Sequence, residues 1–245
     1  MRLDQALVQR GFASSRARAQ ALIVRGLVTI DGAAASKPSQ TVSETAAIAV
    51  AHDEASRYVS RAALKLVHGL DHFGIQVAGC HALDLGASTG GFTQLLLERG
   101  AAHVDAVDVG HGQLHPSIAG DARVTVIEGL NARALTLDHL TGAPDRIVCD
   151  VSFISLTLAL PPALSIAADG AVLVALIKPQ FEVGKSGIGG GGIVRDEALK
   201  AETCHRIRTF LEADMGWPVI GVTPSPVRGS DGNEEFLIAA RRPAG

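Results

Sequence analysis

The chain has 245 residues, is 47% apolar and carries a formal net charge of −3. That length accommodates one full α/β domain plus a small module, and the apolar content supplies a sizeable core. The longest apolar run, Ala171 to Ile177, is too short to span a bilayer, and the N-terminus has no apolar stretch like a signal peptide, so a cytoplasmic protein is expected.

Charge is distributed unevenly. Residues 1 to 52 hold six Arg or Lys against three acids, so a basic head precedes an acidic body, which suggests that the head docks a polyanion. Arg2 to Gly11 reads as a short helix, and Ser14 or Ser15 is a good N-cap for a second helix ending at Gly26. Ala19, Leu22, Ile23 and Gly26 fall at i, i+3, i+4 and i+7 and form its packed face. Arg18 and Arg25 share a different face, with Arg16 at the start. Leu27 to Ile30 is a strand, Asp31-Gly32 a hairpin turn, and an extended segment is expected near Ala46 to Val50.

Residues 52–56 are polar and read as a loop, Arg57 to Ser60 as a connector. This divides the chain into a module at 1–56, a linker at 57–60 and a domain at 61–245. Arg61 to Phe73 has helical periodicity and carries Lys65. Strands are then expected around Leu83, at Val104 to Val109, Val124 to Ile127, Arg146 to Val151 and Ala171 to Ile177, with helices between them. Such alternation predicts a largely parallel sheet covered on both faces. A helix from about Asp196 to Met215 precedes two strands, Val219 to Thr223 and Phe236 to Ala240. Their short connection implies antiparallel pairing at the edge of the sheet.

Cys80, Cys149 and Cys204 are widely spaced and beside core positions, as buried reduced thiols are. His111 and His115 lack partners at a metal-ligand spacing and read as loop residues. No metal is expected.

The most informative stretch is His81 to Thr93, HALDLGASTGGFT, an apolar strand breaking into a glycine-rich turn that opens a helix at about Thr89. Unpaired N–H groups at that helix start would face a ligand. Asp108 ends the next strand, where a carboxylate can accept hydrogen bonds from both hydroxyls of a ribose. A dinucleotide site would read G-x-G-x-x-G, whereas the order here is Asp84-x-Gly86-x-Ser88-x-Gly90-Gly91. An acid before the first glycine repels a phosphate but can receive an ammonium, which favours S-adenosylmethionine over NAD. Asp84, Gly86, Ser88 and Gly90 are expected at the methionine end, Asp108 at the ribose and Asn131 at the adenine edge.

Ligands of an open parallel sheet gather outside the carboxyl ends of the strands. Asp150 follows the fourth strand, Lys178 the fifth, Glu234 begins the last, and Lys65 can lean over the same rim. Glu235 is an equally acidic neighbour that strand alternation alone does not separate from Glu234. A ribose hydroxyl becomes a useful nucleophile once its proton is taken, and a neutral lysine amine is a strong enough base. Lys178 is the base candidate. A neighbouring cation and partial desolvation favour its neutral amine while adjoining carboxylates favour the ammonium, and the sequence leaves that contest open. Phe153, in Asp-Val-Ser-Phe, is either a stacking platform for an extruded nucleobase or a core residue. Gly187 to Gly192, five glycines in six residues, is either a cover that orders on RNA or a slack loop.

Four resemblances give these readings names. Arg2-Leu3-Asp4, Gly11, Ser15-Arg16, Ala19, Gly26, Val28, Asp31-Gly32 and Lys37-Pro38-Ser39 resemble the S4 RNA-binding domain, which implies that Arg2, Arg16, Arg18, Arg25 and Lys37 grip an RNA backbone. The glycine turn resembles the first motif of Rossmann-type methyltransferases, with a mostly parallel seven-stranded sheet. The set Lys65, Asp150, Lys178 and Glu234 resembles the tetrad of FtsJ-type ribose 2′-O-methyltransferases. With the run Lys178-Pro179-Gln180-Phe181-Glu182 and Gly192 to Asp196, the chain resembles the TlyA family over nearly its full length. That implies 2′-O-methylation of cytidine in ribosomal RNA, with ribosomal subunits as partners, no membrane role, and a monomer favoured. A lytic protein, as a haemolysin label for that family suggests, an inactive RNA-binding protein and an NAD-dependent oxidoreductase are the alternatives.

Overall fold

The apolar spacing of the first fifty residues folds two short helices against a small sheet. A computed structural model describes residues 1–13, 15–51, 57–184, 187–229 and 231–245, and its contacts fall into two units, Met1–Arg57 and Tyr58–Gly245. In the first unit, α1 (Leu3–Gln9) and α2 (Arg16–Val24) accompany β1 (Val28–Ile30), β2 (Ala33–Ala34) and β3 (Ile48–Val50), with sheet order β2-β1-β3. Ser15 caps α2 by accepting from the Arg18 N–H; Ser14, the other N-cap candidate, and the loop 52–56 lie outside the described residues. Asp31 and Gly32 have φ of 51° and 82°, the paired left-handed conformation of a tight hairpin turn. Leu3, Leu7, Leu22, Ile23 and Val28 are buried together beneath it.

The second unit is a seven-stranded sheet in the order β6-β5-β4-β7-β8-β10-β9. Its strands are β4 (His81–Leu85), β5 (His103–Asp108), β6 (Val124–Glu128), β7 (Arg146–Cys149), β8 (Val172–Ile177), β9 (Val219–Pro224) and β10 (Phe236–Arg241). The pairs from β6 to β8 are parallel, and β10 runs antiparallel to both neighbours. β8, VLVALI, is buried at all six positions, as a central strand covered on both faces must be. Its Leu173, Ala175 and Ile177 join one core. Its Val172, Val174 and Leu176 join the other.

Helices α3 (Ala62–His72), α4 (Gly91–Glu98), α5 (Pro116–Ala119), α6 (Leu156–Ser165), α7 (Pro179–Glu182) and α8 (Glu197–Thr209) connect these strands. Three details differ from the sequence expectation. Gly90 has φ of 93°, outside helical space, so α4 begins at Gly91 rather than Thr89. Regular helix ends at Thr209, and Phe210–Asp214 continues as a wider π turn that buries Phe210 and Leu211. The last hairpin does pair antiparallel, but β10 inserts between β8 and β9, leaving only β9 at the edge.

Candidate functional site

Strand order reverses at β4, whose neighbours β5 and β7 lead to opposite halves of the sheet. A crevice must open there, outside the carboxyl ends of the strands. Two adjoining cavities occupy it, of about 590 Å³ and 1100 Å³.

The smaller cavity is lined by Lys65, Asp150, Lys178 and Glu235. Lys178 Nζ lies 2.6 Å from Asp150 Oδ1, and donates to Ser152 Oγ at 2.9 Å. Lys65 Nζ donates to Glu235 Oε2 at 2.5 Å, both side chains being nearly buried. Burial raises the Glu235 carboxyl above its ordinary range, and the adjacent Lys65 ammonium opposes that rise. Two ion pairs drawn from α3, the ends of β7 and β8, and the start of β10 therefore share one pocket.

Glu234 is not part of it. Successive residues of the extended segment entering β10 point to opposite sides, which sends Glu234 to Lys200 on α8 at 2.7 Å and Glu235 into the cavity. Choosing Glu234 by motif position is corrected by one residue.

The larger cavity is lined by Gly86, Ser88, Asp108, Asn131, Asp150 and Phe153, among others. Gly86 is required there: a Cβ would come within 3.0 Å of the Asp150 carbonyl oxygen across the switch point, and φ is +87°. Ser88 holds a left-handed φ of 47°, and its N–H donates to Asp108 Oδ2 at 2.8 Å. Asp108 Oδ1 accepts from the Gly110 N–H at 2.7 Å, so the carboxylate is fixed at the end of β5. Asn131 caps a short turn through its side-chain oxygen, accepting from the Arg133 N–H.

Two expected contacts are placed elsewhere. Gly90 does not line either cavity; it is glycine because a Cβ would meet the Leu114 side chain at 2.8 Å. Asp84 also lies beneath the turn rather than in the cavities, fully buried, with Oδ2 accepting from Thr93 Oγ1 at 2.6 Å. Among the described residues its Oδ1 has no hydrogen-bond partner, and burial pushes the carboxyl up to about 7. The glycine-lined turn and the fixed Asp108 carboxylate fit a ligand bearing a ribose.

Phe153 stands where the two cavities meet. It is 90% exposed and has φ of 65°, a strained conformation for a bulky residue, with its ring 4.9 Å from that of Phe181. It is therefore not a core residue. Glu182 holds this segment: its carboxylate accepts from Ser155 Oγ and the Leu156 N–H, each at 2.7 Å, and from Arg206 at 3.1 Å. Ser152, Arg61, Gln180 and Arg228, which the sequence reading does not single out as site residues, also line the smaller cavity. The runs Asp-Val-Ser-Phe and Lys-Pro-Gln-Phe-Glu contain the signal for Ser152, Gln180 and Glu182.

In the N-terminal unit, buried Asp4 gathers Arg2 Nε at 3.0 Å, Arg16 Nη2 at 3.1 Å and Gln20 Nε2 at 3.0 Å. Hydrogen bonds, that of Arg2 foremost, hold the Asp4 carboxyl well below the usual range. Arg16, Arg25 and Lys37 are exposed and Arg18 half-buried.

Residues 58–242 match the FtsJ-like methyltransferase family, and residues 1–48 match the S4 domain. The chain is 48% identical to the 16S/23S rRNA (cytidine-2′-O)-methyltransferase TlyA of Mycobacterium tuberculosis, over 98% of this chain and 89% of the relative. The chain belongs to the TlyA family of FtsJ-like methyltransferases. It is also 38% identical to Hemolysin A of Brachyspira hyodysenteriae, over 97% of this chain and 98% of that relative. A solved structure from Streptococcus thermophilus, described as a hemolysin, superposes with a TM-score of 0.77 at 37% identity, covering 99% of this chain and 88% of that one. Among the described residues no helix is long and apolar enough to cross a membrane.

Proposed function

We propose that this enzyme methylates the ribose 2′-hydroxyl of cytidine in ribosomal RNA, using S-adenosylmethionine, while the S4 module docks the folded RNA. The observation carrying this reading is the convergence of two lysine–carboxylate pairs on a rim that also meets a glycine-lined ligand crevice. Glycine-turn chemistry, the relatives' names and the family support it.

When bound, S-adenosylmethionine supplies an electrophilic methyl group on a sulfonium centre. Gly86, Ser88, Asp108 and Asn131 would hold it. The chain's own work is to bind the ribose, remove its proton and steady the oxygen. Lys178 takes the hydroxyl proton as the nucleophile engages, kept in place by Asp150 and Ser152. Lys65, held by Glu235, faces the same cavity and stabilises negative charge developing on the oxygen. Orientation supplies the remainder, because the reacting atoms are held together in one pocket.

Phe153 presents an exposed ring at the cavity mouth, suited to stack on a base turned out of its helix. Gly187 to Gly192 covers one side through Ile188 and Gly192, and acts as the cover that orders on RNA. Arg2 and Arg16, with Arg18, Arg25 and Lys37, supply phosphate contacts in the S4 module. A cytoplasmic location follows from that substrate.

Calorimetric titration tests the cofactor assignment: S-adenosylmethionine is expected to bind one to one and NAD not at all. NAD binding in its place would redirect the fold to oxidoreduction. Leakage from lipid vesicles treated with purified protein would favour the lytic reading; none is expected.

A further inference from the structure

At the opposite end of the sheet from the active cavity, the amino ends of β4 and β5 bring three metal-ligating side chains together. His81 and His103 are the first residues of these strands and are direct partners in the parallel register. Asp105 lies two residues beyond His103 and so shares its face of the sheet. One ring nitrogen of each histidine and a carboxylate oxygen of Asp105 all lie within 4.8 Å of one another. Thr141, from the loop before β7, brings its hydroxyl to 3.0 Å from His81 Nε2 and 3.1 Å from both Asp105 oxygens.

The spacing is that of a coordination shell. Ligands at about 2.0–2.1 Å from a tetrahedral ion stand roughly 3.3 Å apart. Here His103 Nε2 is 3.3 Å from Asp105 Oδ1 and His81 Nε2 2.7 Å from Asp105 Oδ2, so the imidazoles flank the two oxygens of one carboxylate, and a move of about half an ångström at His81 opens the centre. The two rings stand edge to face at 90°, with centroids 5.3 Å apart, so their ring planes do not stack across the gap. Asp105 is fully buried, yet both of its ion-pair partners are imidazoles, which carry charge only when protonated. A cation seated between these side chains would pair with that buried carboxylate. The histidine side chains are 23% and 27% exposed, which leaves an entry path.

We propose that His81, His103 and Asp105 form a transition-metal site, with Thr141 or water as the fourth ligand. Two imidazoles with one carboxylate select zinc, cobalt or nickel over magnesium or calcium. The ion would tie β4, β5 and the Thr141 loop together at the end of the sheet remote from methyl transfer, so its role is structural.

The test is a titration of chelator-treated full-length protein with Co²⁺, read by visible d–d absorption. One equivalent should give a saturable four-coordinate spectrum, displaced by Zn²⁺ and indifferent to Mg²⁺. His81→Ala and His103→Ala should each weaken binding at least about tenfold. His68→Ala should leave it unchanged, which controls for the separate His68–His72 pair whose rings lie 5.5 Å apart. If either variant fails to fold, electron paramagnetic resonance of Cu²⁺ in the unaltered chain should show coupling to two imidazole nitrogens. Absence of a saturable spectrum, a thiolate-to-cobalt band assigning the ion to cysteine, coupling to fewer than two nitrogens, or indifference to both histidine variants would overturn the site.

Discussion

Lys65 and Glu235, 170 positions apart in sequence, meet in a buried ion pair of 2.5 Å on the wall of the active cavity. Glu234, one residue earlier, instead pairs with Lys200, which also holds Glu197 at 2.7 Å. The two neighbouring acids therefore have separable roles. Glu235→Gln should lower the turnover number by about 10²-fold or more, by freeing the Lys65 ammonium from its partner. Glu234→Gln should leave turnover within a few-fold, and cost under about 1 kcal/mol of stability because Lys200 keeps Glu197. Steady-state kinetics with chemical denaturation separates the two. Equal losses from both substitutions would refute the assignment.

Phe153 offers a second handle. Phe153→Ala should weaken productive RNA binding by about 1–3 kcal/mol, the range for stacking one base. Cofactor affinity, read by calorimetry, should stay within a few-fold. Parallel loss of both would show that the ring supports the fold of the pocket and does not serve the base.

Asp84 predicts a pH dependence whose sign follows from its environment. Its folded carboxyl sits at about 7, above that of an unfolded aspartate, because burial disfavours the charged form. The protonated form is thus favoured by folding, so this contribution is fully present below about pH 4 and is lost as pH rises through about 7. Three units correspond to roughly 4 kcal/mol. Asp84→Asn should flatten the fall in stability of the ligand-free protein between about pH 4 and 7, measured by urea unfolding across that range. An unchanged pH slope would contradict the assignment.

In the S4 module, Arg16→Ala should reduce RNA affinity and lower the slope of log affinity against log salt by about 1, as expected for one lost phosphate contact. Filter binding at several salt concentrations measures this directly. An unaltered slope would mean that Arg16 contacts no phosphate.

Much of this architecture was legible because it rests on periodicity and turn chemistry. The run Leu173 to Ile177 reads as a buried strand since both faces of a central parallel strand are covered, and Gly86 reads as a switch-point turn because only glycine fits against the Asp150 backbone. What escaped depends on a single residue of phase. Glu234 and Glu235 are chemically alike, and only the register set by β10 against β8 and β9 decides which enters the cavity. Asp84 reads from the sequence as a ligand-site acid; its burial is not legible there, since its partner Thr93 lies on the following helix. Ser152 escaped because its role arises from a lysine that is distant in sequence.

In the proposed reaction Lys178, fixed by Asp150 and Ser152, removes the proton of a ribose hydroxyl. Mass-spectrometric mapping of ribosomal RNA incubated with S-adenosylmethionine and either the unaltered chain or Lys178→Ala tests it most directly. The expected product is 2′-O-methylcytidine with the unaltered chain, and at least about 10²-fold less with Lys178→Ala at undiminished cofactor binding. Full activity of Lys178→Ala, or methyl groups found on a base in place of the ribose, would contradict it.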